Sequence, residues 1–164
     1  MRRLTVLALA LPLLVGGAAA AETPIQLCDE LAASPVGENG GAPGVARGKL
    51  DPKKAIPACT DAIAEFPTES RFSFALGRAY DVAGDDRAAL AAYQDAVNKG
   101  STLALINLAS MYENGRGTKR DVAKAVELGE KAYAAGWTLA SINLGFIYNF
   151  GGLGEPDTVK ARFW

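Results

Sequence analysis

The sequence GSTLALINL at residues 100–108 recurs 36 residues later, as GWTLASINL at residues 136–144. The same offset holds along the rest of the overlap, where it pairs Tyr112 with Tyr148, Gly115 with Gly151, Asp121 with Asp157, Lys124 with Lys160 and Ala125 with Ala161. A period of this length is typical of structural units that stack on one another. The sequence therefore predicts a repeat architecture.

Each unit has the pattern of two helices joined by a turn. Ala104, Leu108 and Tyr112 recur at every fourth position, which places them on one face of a helix. The glycine-rich residues 114–117 end that helix, and Asp121 is placed to cap a second one. Each unit is therefore predicted to be an antiparallel helix pair, and the fold class all-α.

An earlier copy of the unit precedes these two. Leu76 and Tyr80 have the same Leu-x3-Tyr spacing, and the turn that follows them is about four residues shorter. We therefore divide the repeat region, residues 68–164, into units at 68–100, 101–136 and 137–164, of which the last is incomplete.

Residues 22–67 predict one more helix pair. Residues 51–67 have prolines near both ends of a helical pattern, and residues 25–33 would form the partner helix. The intervening residues 34–48 are rich in Gly and Pro, so we expect an irregular surface loop there.

The first residues have the pattern of an export signal. Two arginines are followed by an apolar run at 4–15 and by small residues at 18–21. We expect residues 1–21 to be a cleavable signal peptide of the general secretory route, with cleavage after Ala20 or Ala21; an uncleaved anchor is the alternative. The run is shorter than the roughly 20 residues that span a bilayer, so no membrane span is expected after cleavage. The mature protein is then periplasmic or secreted.

The chain has two cysteines, Cys28 and Cys59, and both remain after signal cleavage. In an oxidising compartment they are expected to form a disulfide between the two N-terminal helices. A pair of buried free thiols is the alternative.

Composition excludes several functional classes. Without the signal peptide the chain has 15 basic and 18 acidic residues, a balance that does not indicate nucleic-acid binding. Histidine is absent, which excludes a Ser-His-Asp site and any zinc site that needs imidazole. Asp85 and Asp86 form a carboxylate pair, but their position at a helix start explains them. We therefore expect no catalytic residue, no metal and no cofactor.

The repeats resemble the Sel1-like repeat (SLR) family, a branch of the tetratricopeptide repeats (TPR). The resemblance rests on the pattern Ala-x2-Asn-Leu-[Ala/Gly]-x2-Tyr-x2-Gly-x-Gly followed by Asp-x2-Lys-Ala, which begins at Ala104 and, with a changed turn, at Ala140. Residues 71–99 resemble a plainer TPR unit. The resemblance implies a right-handed superhelical α-solenoid in which the first helix of every pair lines a concave groove.

The resemblance also implies which residues face a partner. The stripe beside the core-facing positions consists of Arg71, Phe74, Arg78, Leu103, Asn107, Ser110, Leu139, Asn143 and Phe146. Asn107 and Asn143 hold the TPR position at which an amide binds a peptide backbone or terminal carboxylate; bonding between neighbouring helices is the alternative. The two arginines would form an anion clamp or a solvated face.

Three functions remain open at this point. The resemblance favours a non-catalytic scaffold that binds a protein or peptide partner of unknown identity in the groove. A self-associating assembly module is the second, because Phe163 and Trp164 would leave an apolar C-terminal edge; a frayed end and a truncated gene product are alternative explanations of that edge. A cell-wall-related enzyme or ligand-binding protein is the third.

Overall fold

The computed structural model describes residues 22–36, 43–150 and 152–164. These residues form α-helices and one 3-10 helix, Arg47–Lys49, with no strand among them, so the predicted all-α class is confirmed. In chain order the α-helices are α1 (Pro24–Ala32), α2 (Pro52–Glu65), α3 (Ser70–Ala83), α4 (Asp86–Asn98), α5 (Leu103–Asn114), α6 (Val122–Ala134), α7 (Ala140–Asn149) and α8 (Thr158–Phe163). The predicted signal peptide, residues 1–21, lies outside the described residues.

The helices pack as consecutive pairs. Helix α1 packs on α2, α3 on α4, α5 on α6 and α7 on α8, and the second helix of each pair also contacts the first helix of the next. Contacts that run from each pair to its neighbour are the arrangement of a solenoid, in which stacked units bury a continuous core.

An aspartate starts the second helix of every described pair. The carboxylates of Asp51, Asp85, Asp121 and Asp157 each accept a hydrogen bond from a backbone N–H in the first turn, over 2.9 to 3.1 Å. Such a cap contributes about 1 kcal/mol to helix stability. The expected cap at Asp121 is confirmed, and Asp85 is likewise a helix cap.

The predicted core face of the repeats is confirmed. Ala104 and Leu108 are fully buried, Leu144 is 1% exposed, and Tyr148 is 8% exposed. Tyr112 is half-buried and packs against the core. Gly115 adopts the left-handed backbone conformation, at φ 68°, that ends α5 in a tight turn.

The two N-terminal helices are joined by the Cys28–Cys59 disulfide, whose cysteines are both fully buried. The segment after α1 departs from the predicted irregular loop at its end, where Arg47–Lys49 form a 3-10 helix. Arg78 of α3 donates to the carbonyl oxygens of Ala32 at 2.6 Å and of Val45 at 2.5 Å, which fastens this segment to the repeats.

Candidate functional site

A cavity of about 380 Å³ opens between the end of α5, the turn that follows it, and α7. We call it the aromatic cavity. It is lined by Glu113, Arg120, Asn143, Phe146, Ile147, Phe150 and Gly152. It lies where one repeat meets the next, so both repeats contribute side chains to it.

Two exposed phenylalanines form its apolar wall. The rings of Phe146 and Phe150 stack with centroids 5.7 Å apart and an interplanar angle of 15°. The two residues are 58% and 71% exposed, although aromatic side chains contribute most to stability when they are buried. An exposed aromatic pair of this kind is typical of an interaction surface.

The two asparagines of the predicted stripe have unused hydrogen-bonding capacity. Asn143 is exposed and lines the cavity. Asn107, at the equivalent position of α5, is half-buried and does not line it. Neither side-chain amide takes part in a hydrogen bond within the described residues. Each amide can therefore donate and accept toward a bound chain.

Charged groups of both signs stand at the same cavity. Arg120 donates from Nε to the backbone oxygen of Glu113 over 2.9 Å. This bond orients the guanidinium and leaves its two terminal NH2 groups directed elsewhere. Glu113 also lines the cavity, which therefore has one cationic and one anionic residue next to the aromatic pair.

Four residues of the predicted stripe have structural roles instead. Phe74 and Leu103 are 4% and 6% exposed and belong to the core. The guanidinium of Arg71 pairs with the Asp29 carboxylate and lies over the Phe72 ring. Arg78 is bound to backbone carbonyl oxygens, as described above. These four side chains are not available to a partner in this arrangement.

The remaining residues of the stripe are more accessible. Leu139 is 69% exposed but does not line the aromatic cavity. Ser110 is half-buried and accepts a hydrogen bond from the amide of Asn114 at its backbone oxygen, over 2.8 Å.

Glu113, Arg120 and Phe150 line the cavity but are missing from the sequence-predicted stripe. Phe150 follows Phe146 by four residues, the spacing at which side chains meet on a helix. The contact between the two rings could therefore have been predicted from the sequence. Arg120 lies in a turn, where helical periodicity does not predict which way a side chain points.

The chain's chemical repertoire is narrow. Both cysteines are consumed by the disulfide, and the sequence contains no histidine. Across residues 22–36, 43–150 and 152–164, no group of three or more His, Cys, Asp or Glu side chains is arranged to hold a metal ion. The aromatic cavity can recognise a partner by shape, hydrogen bonds and charge.

Two consecutive segments, residues 102–137 and 138–164, match the family model of the Sel1 repeat. The C-terminal part of the chain, residues 102–164, thus matches two consecutive Sel1 repeats. The residues of the aromatic cavity come from both matched repeats, and Sel1-like repeats are generally protein-interaction modules. Among curated proteins, none matches the sequence.

The chain is also similar to a solved structure, a protective antigen present in uropathogenic Escherichia coli strains that displays an SLR fold. The two share 28% sequence identity with a TM-score of 0.60. The match covers 71% of this chain and 25% of that one, so this chain spans about a quarter of the antigen's length. The SLR solenoid fold is thus established. No helix in the described part of the chain is long and apolar enough to cross a membrane.

Proposed function

We propose that this protein is a non-catalytic scaffold of the bacterial periplasm, or a secreted one, that binds a peptide or protein segment at the aromatic cavity. The observation that carries the proposal is the combination of the exposed Phe146–Phe150 stack with the unbonded amide of Asn143. An apolar wall next to a hydrogen-bonding amide suits an extended chain, which has alternating side chains and backbone amides.

The side chains of the cavity, together with Asn107 of α5, would each contact a different part of the partner. An apolar side chain of the partner would pack on the phenylalanine rings, and burial of such a side chain contributes about 1.5–3 kcal/mol. The amides of Asn107 and Asn143 would bond to the partner's backbone, each contributing about 0.5–1.5 kcal/mol. Arg120 and Glu113 would select partners that carry a complementary charge nearby.

Three observations support an extracytoplasmic location. The buried Cys28–Cys59 disulfide is of the kind that persists in oxidising compartments. The start of the sequence has the pattern of a secretory signal. The similar solved protein is described as a protective antigen.

The proposal is tested with a peptide library displayed on phage and selected on the purified mature protein. The dissociation constant of a selected peptide is then measured by fluorescence anisotropy for wild type and for Asn107→Ala/Asn143→Ala. We expect about 5–150-fold weaker binding by the double variant, since two hydrogen bonds are lost. Its helicity should be unchanged, because neither amide bonds within the described residues.

A matched control is Asn98→Ala, which removes an exposed amide at the end of α4. This variant should bind like wild type. Unaltered binding by the Asn107→Ala/Asn143→Ala protein, with every selected peptide, would refute the assignment of the aromatic cavity as the binding site.

A further inference from the structure

The acidic residue of the aromatic cavity has a counterpart one repeat earlier. Glu113 directly follows the tyrosine of its Leu-x3-Tyr motif in α5, and Asp81 holds the same place in α3. The Asp81 carboxylate is buried and pairs with the guanidinium groups of Arg47 and Arg116. In the earlier repeat, the carboxylate at this position therefore binds two arginine side chains.

The turn that supplies one of these arginines has no arginine in the next repeat. Arg116 reaches Asp81 from the turn after α5, and Gly152 stands at the equivalent place in the turn after α7. The two turns share a backbone hydrogen bond, because the N–H of each residue donates to the carbonyl oxygen five residues before it, over 2.9 and 2.8 Å. Gly152 also lines the aromatic cavity. The later site thus has a glycine where the earlier one has a guanidinium.

Glu113 has no ion-pair partner in the part of the chain that the structure describes. It is half-buried and lines the cavity. Arg120, the cationic residue of the cavity, donates to the backbone oxygen of Glu113 and does not pair with its carboxylate. Hydrogen bonds from a cation to a carboxylate are about twice as strong as neutral ones, so a cation that enters the cavity is favoured.

The two phenylalanines of the cavity narrow the choice of cation. Phe146 and Phe150 stand where α5 has Ser110 and Asn114, and their stacked rings form the apolar wall. A guanidinium is planar, stacks on aromatic rings and donates two parallel hydrogen bonds to a carboxylate. An ammonium is a compact and strongly hydrated charge. An aromatic wall with a carboxylate therefore favours arginine over lysine.

The protein contains the same combination of groups in its N-terminal part. The guanidinium of Arg71 pairs with the Asp29 carboxylate and lies over the Phe72 ring, 4.2 Å from the ring centroid. A carboxylate and a phenylalanine thus hold an arginine side chain elsewhere in this fold.

We propose that the aromatic cavity binds an arginine side chain of the peptide or protein partner. The guanidinium pairs with the Glu113 carboxylate and stacks on the rings of Phe146 and Phe150. This inference rests on the proposed function, because it names the partner residue that the same site takes.

The test compares peptides that differ in the charge of one side chain. Arginine should recur in the peptides selected on the wild type. Each selected peptide is synthesised again with citrulline in place of the arginine, which keeps the shape but is neutral. Citrulline should weaken binding by about tenfold or more in fluorescence anisotropy, as for loss of hydrogen bonds to a charged group. Lysine at that position should also bind more weakly than arginine.

Glu113→Gln should cause the same loss, and the arginine and citrulline peptides should bind this variant almost equally. Its fold should be unchanged, because the bond from Arg120 is to the backbone oxygen of residue 113. The matched control is Glu130→Gln, which changes an exposed glutamate of α6 that does not line the cavity. This control should bind like wild type.

A charge exchange tests the pairing itself. Glu113→Arg should bind the arginine peptide poorly, and a peptide with glutamate at that position should restore binding. Absence of this restoration would contradict the pairing. A greater loss in Arg120→Gln than in Glu113→Gln would assign the cavity to an acidic side chain and overturn the inference.

The outcomes separate this inference from the proposed function. Selected peptides without arginine, or with equal affinity after citrulline replacement, would overturn the inference alone if Asn107→Ala/Asn143→Ala still weakens their binding. A selection that retains no peptide, or a double variant that binds like wild type, would overturn the proposed function and the inference with it.

Discussion

Arg116, in the turn after α5, donates to the carboxylate of Asp81 near the end of α3 and thereby ties one repeat to the repeat before it. Arg47, from the 3-10 helix of the N-terminal segment, donates to the other oxygen of the same carboxylate. Asp81 is buried, and it is the shared acceptor of two separate stretches of chain. A single carboxylate thus connects the N-terminal segment, α3 and the first Sel1 repeat.

Loss of this carboxylate charge should destabilise the whole chain. Asp81→Asn leaves the buried site with a weaker acceptor. The Arg47 guanidinium loses its ion-pair partner, whereas Arg116 keeps its pairing with Asp86. We expect the free energy of unfolding to fall by about 1–3 kcal/mol, as a lower urea midpoint. Asp61→Asn, which changes an exposed aspartate on α2 that has no ion pair within the described residues, is the control and should leave the midpoint unchanged. Equal midpoints for both variants would contradict the role of Asp81.

The same carboxylate predicts a pH dependence. Burial would raise the pKa of Asp81, but hydrogen bonds from Arg47 and Arg116 outweigh it and lower the pKa below its ordinary value of 3.8. A lowered folded-state pKa means that the stabilisation is present above the unfolded value and is lost as the pH falls through the folded one. The wild-type urea midpoint should therefore decrease below about pH 4. The difference in urea midpoint between wild type and Asp81→Asn should shrink over that range. A difference in midpoint that stays constant from pH 7 to pH 3 would exclude this explanation.

The disulfide should stabilise the folded protein and should resist reduction. Cys28 and Cys59 are 31 residues apart. A disulfide that closes a loop of this length lowers the entropy of the unfolded chain, which stabilises the folded state by about 3–4 kcal/mol. Cys28→Ala/Cys59→Ala should lower the free energy of unfolding by that amount in a urea titration. The folded wild type should show no thiol reactive toward Ellman's reagent, even after mild reductant, because both sulfurs are buried. Two reactive thiols in the untreated folded protein would contradict the disulfide.

Gly77 of α3 is required by close packing on α4. A Cβ at this position would lie 2.6 to 2.7 Å from ring carbons of Tyr93, which is 1% exposed and held within the core. Gly77→Ala should therefore destabilise the protein by about 1–3 kcal/mol, although alanine favours helix formation elsewhere. Gly48→Ala is the control, since a Cβ there has nothing within 4 Å. A stabilised Gly77→Ala protein, measured by thermal unfolding, would show that α3 and α4 do not approach this closely.

The repeat pattern predicted the fold because stacked helices reuse the same core positions. Leu108 and Leu144 were expected to face the core from their spacing alone, and both are buried. The Cys28–Cys59 pair was expected from the compartment, and the bond is present.

The candidate site was harder to predict because it depends on contacts between distant segments. Arg71 and Arg78 have the spacing of groove residues, but the guanidinium of Arg71 is paired with Asp29, and that of Arg78 donates to carbonyl oxygens at the end of α1. The spacing of residues along a helix does not predict which other segment of the chain packs on each of its faces. Arg120 enters the aromatic cavity from a turn, and its position is set by the backbone oxygen of Glu113.

Site-specific photo-crosslinking shows most directly whether a peptide binds at the aromatic cavity. The protein is prepared with p-benzoylphenylalanine in place of Phe150, irradiated with a peptide selected on the wild type, and mapped by mass spectrometry. Binding at the aromatic cavity predicts a crosslink at position 150 that excess unlabelled peptide removes, and none when the same group replaces the exposed Val159. A crosslink at position 159 instead, or none at position 150 under saturating peptide, would contradict binding at the cavity between α5 and α7.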